Sequence, residues 1–107
     1  MPPLVLIVED EAILGDSIGL YLESHGYATA LARTGPDGVS LAEQNTPDVA
    51  VVDIRLPGLD GFEVLRRVRE ASPGTEVVMM TAGQSSFGST SSVNRRKLRW
   101  LSGAHMR

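Results

Sequence analysis

The chain has 107 residues, 42% hydrophobic and 21% charged, which is the composition of one small folded domain with a single core. It contains no cysteine, so disulfides and thiolate metal sites are excluded. The formal net charge of −3 conceals a division: all 13 acidic residues lie at or before Glu76, leaving residues 1–83 at −8, whereas residues 84–107 carry five basic residues and no acid. Such a split marks two pieces, an acidic body over 1–83 and a basic tail over 84–107.

The opening run Leu4-Val-Leu-Ile-Val8 is continuously apolar and rich in β-branched residues, as a strand buried on both faces requires. It stops at Glu9-Asp10-Glu11, too soon for a membrane span or signal peptide, so a soluble, cytoplasmic protein is expected. Ile13, Leu14, Ile18, Tyr21 and Leu22 then recur at helical spacing, and Gly26 stands where a helix C-cap would. Tyr27 to Leu31 reads as a short strand. Pro36 opens a second helix reaching about Gln44, with Val39 and Leu41 or Ala42 inward.

Val49-Ala-Val-Val52 is a second strongly apolar strand, and Leu56-Pro-Gly58 a turn. A third helix is predicted over Gly61 to Ala71, its apolar set being Phe62, Val64, Leu65 and Val68, with Arg66, Arg67 and Arg69 outward. Ser72-Pro-Gly74 ends it, and Glu76 to Met80 is a fourth strand leading to Thr81-Ala82-Gly83. The order βαβαβαβ predicts a doubly wound α/β domain with a parallel sheet and right-handed crossovers. After Gly83 the periodicity ends. Five serines crowd residues 84–92, and the basic stretch 93–101 has room for one short helix or strand.

In such a sheet, ligands sit beyond the carboxyl ends of the strands. The first strand ends at Glu9-Asp10, the third at Asp53 and the fourth at Thr81. Neighbouring strands are about 4.8 Å apart, so these carboxylates can converge on one point. Crowded carboxylates repel unless a cation lies among them, and an all-oxygen set suits Mg²⁺. Taken singly, an acidic triplet is usually a helix start, and His25 and His105 lack any companion at metal-ligand spacing. The combination at three strand ends carries the argument.

The pattern Val8-Glu9-Asp10-Glu11, then Asp53-Ile-Arg55-Leu-Pro57-Gly58-Leu-Asp60-Gly61, then Thr81-Ala82 resembles the receiver domain of two-component response regulators, over residues 4 to 83. The resemblance implies a flavodoxin-like (CheY-like) fold with strand order 2-1-3-4-5. It implies that Asp53 takes a phosphoryl group from a sensor histidine kinase, and that Glu9, Asp10, Asp53 and the backbone carbonyl of Arg55 hold Mg²⁺. Thr81 would contact the phosphoryl group and act as the switch. The domain would catalyse only its own phosphorylation and dephosphorylation, not act as an enzyme on other substrates.

Beyond Gly83 the sequence departs from that family. A fifth strand ending in lysine is not recognisable, and the single lysine, Lys97, sits in an arginine-rich run and is not given the family's role. The fold is therefore expected to be incomplete at its C-terminal edge, with the fourth strand exposed and inviting a homodimer by edge pairing or segment exchange. A non-switching interaction module is the alternative function. DNA binding would require the basic tail, with Trp100 stacking, and is the weaker third reading.

Overall fold

Strand β1, Leu4–Val8, lies inside the sheet, and every residue from Val5 to Val8 is buried. This is why its sequence shows no alternation: both faces are covered, so both need apolar side chains. A computed structural model describes residues 2–56 and 59–80. After β1 come α1 (Ala12–Ser24), β2 (Ala28–Ala32), α2 (Gly35–Asn45), β3 (Val49–Asp53), α3 (Gly61–Ala71) and β4 (Glu76–Met80). All pairings are parallel, in the order β2-β1-β3-β4, so β1 and β3 are central and β4 is an edge among the described strands. None of the described helices is long and apolar enough to cross a membrane.

The pleat divides each strand between two cores. Leu6, Val8, Ala50, Val52 and Val77 face α2 and α3, packing with Ala42, Val64 and Val68. Val5, Ile7, Val49, Val51, Val78 and Met80 form the other cluster, with Leu22 and Tyr27. α2 sits close on its strand because Gly38 has no Cβ; one added there would lie 2.7 Å from Val8 Cγ2.

Local chemistry explains the helix ends. Thr34 Oγ1 accepts from Asp37 N at 3.2 Å, with Pro36 in the first turn, and Asp60 Oδ1 accepts from Glu63 N at 2.9 Å. At the end of α1, Gly26 takes φ 91° and Tyr27 N–H returns to Leu22 O at 3.1 Å, the six-to-one closure that glycine permits. On the surface of α3, Glu63 pairs with Arg66 and Arg67, and Arg66 with Glu70 at 2.8 Å.

The C-cap of α2 is Thr46, a β-branched residue held at φ 41°, ψ 63°. That left-handed conformation costs an L residue about 1–2 kcal/mol, against about 0.5–1 kcal/mol of extra unfolded-state freedom for glycine. Thr46→Gly is therefore expected to stabilise the protein by about 0.5–1 kcal/mol, read as a raised midpoint in urea at unchanged slope.

The predicted elements are recovered, with the second strand running one residue later than expected. Three apolar assignments are corrected. Ile13 is 83% exposed, Phe62 61% and Tyr21 56%. Helix α1 is apolar on more than one side, so spacing alone did not distinguish its sheet-facing stripe of Gly15 and Leu22. Phe62, second in α3, points away from Val64 and Val68, which carry that helix's packing. The tail over 84–107, with Lys97 and Trp100, lies outside the described residues.

Candidate functional site

The register builds the site. Val8 of β1 pairs with Val52 of β3, so the next residues, Glu9 and Asp53, emerge at the same level of adjacent central strands. Backbone bonds carry both ladders one step further: Glu9 N–H donates to Ala32 O at 2.9 Å and Ile54 N–H to Met80 O at 2.8 Å. Oxygens of Glu9, Asp10 and Asp53 all lie within 4.8 Å of one another. This is the carboxyl end of the sheet, where strands hand over to α1 and α3.

The three acids sit in different surroundings. Glu9 is 0% exposed and Asp53 1%, whereas Asp10 faces solvent. Asp53 Oδ1 accepts from Arg55 N–H at 2.9 Å, which fixes the carboxylate and brings Arg55 to the site. Glu9 Oε2 accepts from Glu11 N–H at 2.9 Å, at the N-cap of α1, while buried Oε1 meets no donor among the described residues. Burial pushes the Glu9 carboxyl up to about 7, the Glu11 N–H opposes this, and the nearby Asp53 and Asp10 raise it further.

A buried carboxylate oxygen without a donor, beside two more carboxylates, fits a hard cation: it lacks a positive charge and offers only oxygen ligands. Glycine shapes the same point from the other side. Gly61 begins α3 against the end of β3, its N–H bonding Ile54 O at 3.0 Å, and a Cβ there would lie 2.5 Å from Asp53 O. In the sequence Gly61 marks a helix start and a motif position, but not a close contact with the end of β3. The Asp60-Gly61 pair at a helix start was the available signal, but close approach to Asp53 needs coordinates. Of the other expected site residues, Thr81, Pro57 and Gly58 lie outside the described residues.

The comparisons with known proteins agree with this geometry. The family model described as "Response regulator receiver domain" matches residues 5–94, and the chain belongs to that family. The match runs past Gly83 into the serine-rich segment. The transcriptional regulatory protein AfsQ1 of Streptomyces coelicolor is 42% identical over 82 residues, covering 77% of this chain and 36% of that protein. The probable transcriptional regulatory protein TcrX of Mycobacterium tuberculosis is 35% identical over 81 residues, 76% of this chain and 35% of its own length. The chain thus spans about a third of these relatives.

Among solved structures, a CheY-like receiver from Methanospirillum hungatei superposes with a TM-score of 0.74 at 28% identity, over 95% of this chain and 77% of that one. The receiver domain of sensor histidine kinase PA1611 from Pseudomonas aeruginosa, with a magnesium ion in its active-site cleft, gives 0.75 at 25% identity, over 94% of this chain and 98% of that one. The chain is a receiver domain of the two-component type.

Proposed function

We propose that Asp53 accepts a phosphoryl group from the phosphohistidine of a partner kinase, with Mg²⁺ held by Glu9, Asp10, Asp53 and the carbonyl of Arg55. The observation that carries this reading is the convergence of three carboxylates within 4.8 Å at the carboxyl end of the sheet. In the transfer, an Asp53 oxygen bonds to phosphorus as the phosphorus–nitrogen bond breaks, leaving an acyl phosphate on the chain and a histidine on the donor. The cation's contribution is to neutralise charge on the transferring group.

The chain's own residues do the positioning. The Arg55 N–H orients the Asp53 carboxylate, and burial of Asp53 keeps water from solvating the nucleophile. Asp10, being exposed, offers its carboxylate directly, whereas Glu9 anchors the floor of the site and the start of α1 through Glu11. Thr81 is assigned the phosphoryl contact that turns phosphorylation into a change of shape. In this reading residues 1–83 are the receiver unit, the reaction is cytoplasmic, and no substrate other than the domain itself is turned over. The relatives are named as transcriptional regulatory proteins, which supports transcription as the output this receiver serves. DNA contact through the basic tail remains the weaker reading.

The position of β4 at the edge of the described strands favours a second reading, in which the domain associates with another copy through that strand and no longer switches. One measurement separates the two. Intact mass after incubation with Mg²⁺ and a small phosphodonor is expected to show one added phosphoryl group, absent from Asp53→Ala and from samples without Mg²⁺. No adduct in a folded sample that binds Mg²⁺ would reject the phosphoacceptor reading.

A further inference from the structure

The described sheet ends on one side at β2. Its five pairs with β1 run without a bulge, and its sequence Ala-Thr-Ala-Leu-Ala holds no charge and no proline. Those are the features that ordinarily keep an edge strand from pairing. Ala28 N–H donates to Pro3 O and Ala32 O accepts from Glu9 N–H, both towards β1. Alternate residues of a parallel strand turn to opposite neighbours, so Thr29 and Leu31 aim their N–H and C=O groups outward. No described strand lies there to meet them.

This edge runs between two grooves, because α1 covers one face of β1 and β2 and α2 the other. Towards α1 the groove is about 420 Å³, walled by Ile7, Gly19, Leu20 and Leu31, with Asp16 and Glu23 at its rim. Towards α2 it is about 400 Å³, lined by Arg33, Asp37, Ser40 and Leu41. Leu20 is apolar yet 68% exposed. Three acids against one arginine leave the flanks of the edge acidic.

We propose that β2 accepts an extended basic segment of a partner protein as an added strand, with the pattern Lys-x-Leu-x-Lys. Main-chain bonds to Thr29 and Leu31 hold the segment, and the flanking side chains select it. The spacing sets the pattern. Asp16 and Glu23, seven residues apart on α1, stand about 10.5 Å apart along its axis, with Leu20 between them. Side chains on one face of a strand recur about every 6.6 Å, so the first and fifth lie ~13 Å apart. Flexible lysines there reach both acids, and the apolar third residue meets Leu20 and Leu31. One Glu23 oxygen accepts from Thr29 Oγ1 at 2.6 Å, which leaves the other for an ammonium group. A second copy suits the edge less well, since pairing β2 with β2 sets each acidic flank of α1 beside the same acids of its partner.

The probe is the peptide acetyl-Lys-Thr-Leu-Thr-Lys-amide, added to the isotope-labelled, full-length protein and followed by its amide resonances. Those of Thr29 and Leu31 are expected to shift and saturate, while those of β4 stay in place. Of the two alternately N-methylated peptides, the one that loses the donors facing β2 is expected to bind about tenfold more weakly. Pairing Asp16→Asn with Glu23→Gln, or replacing both peptide lysines by glutamate, should weaken binding by about as much. Absence of any shift, equal shifts at β4, or binding that ignores methylation or loss of the acids would overturn the proposal. Slow exchange of the Thr29 and Leu31 amides in the protein alone would overturn it as well. Protection lost on dilution would assign the edge to a second copy, and protection independent of concentration to another segment of the chain. None of these readouts involves Asp53 or its phosphorylation, so they stand apart from the test of that residue.

Discussion

Without divalent metal, Glu9→Gln is expected to be more stable than the parent at pH 8, by at most about 3 kcal/mol, and equal to it at pH 4. The sign follows from the direction of the shift. Folding raises the Glu9 carboxyl from 4.5 to about 7, so the folded chain holds its proton more tightly than the unfolded one. The associated stability is fully present below 4.5 and is lost as pH rises through about 7. Glutamine removes that dependence. Its carbonyl can still accept from Glu11 N–H, and its amide places a donor where buried Oε1 has none.

Saturating Mg²⁺ should reverse the ranking at pH 8, because a cation bound only by the folded chain stabilises it by mass action and favours the charged carboxylate. Glu63 does not confuse the measurement. Its hydrogen bonds to Arg66 and then Arg67 pull it down to about 2, so its contribution is present above 4.5 and is lost only as pH falls towards 2. Urea unfolding at pH 4, 6 and 8, with and without Mg²⁺, is the check. Equal stability of parent and variant at pH 8 without metal would show that burial of Glu9 carries no strain.

The same residue marks how far sequence reasoning reaches. The strand runs 4–8 and 49–52 were legible because strands buried on both faces leave an unbroken apolar signature. Their ends located Glu9, Asp10 and Asp53. That Glu9 is enclosed while its neighbour Asp10 faces solvent was not legible, because the two differ only in which way the chain turns after Val8. Thr46 is a second case, since nothing in Asn45-Thr46-Pro47 marks a left-handed residue where glycine or asparagine would be usual. Exposure of Ile13 and Phe62 was missed for a different reason: an apolar residue on a helix states a preference, and the partners present decide whether it is met. The three helices were foreseen, but their unequal distribution over the two faces is a property of packing.

Gly61→Ala is expected to lower stability by roughly 1–3 kcal/mol and to slow phosphorylation of Asp53, although alanine ordinarily favours a helix over glycine. The obstacle is backbone. An added Cβ would lie 2.5 Å from Asp53 O and 2.6 Å from Ile54 Cα, atoms of the strand end that presents the proposed nucleophile. Side chains can rotate away from such a contact, but these atoms cannot. Helix α3 must retreat, loosening the Gly61 N–H bond to Ile54 O and shifting the turn whose Arg55 N–H orients Asp53. Gly74→Ala is the matched control, because a Cβ there meets nothing within 4 Å. Urea midpoints and the rate of phosphoryl incorporation by mass should separate the two variants. If Gly61→Ala were as stable and as rapidly phosphorylated as Gly74→Ala, close packing of α3 on β3 would not be what positions Asp53.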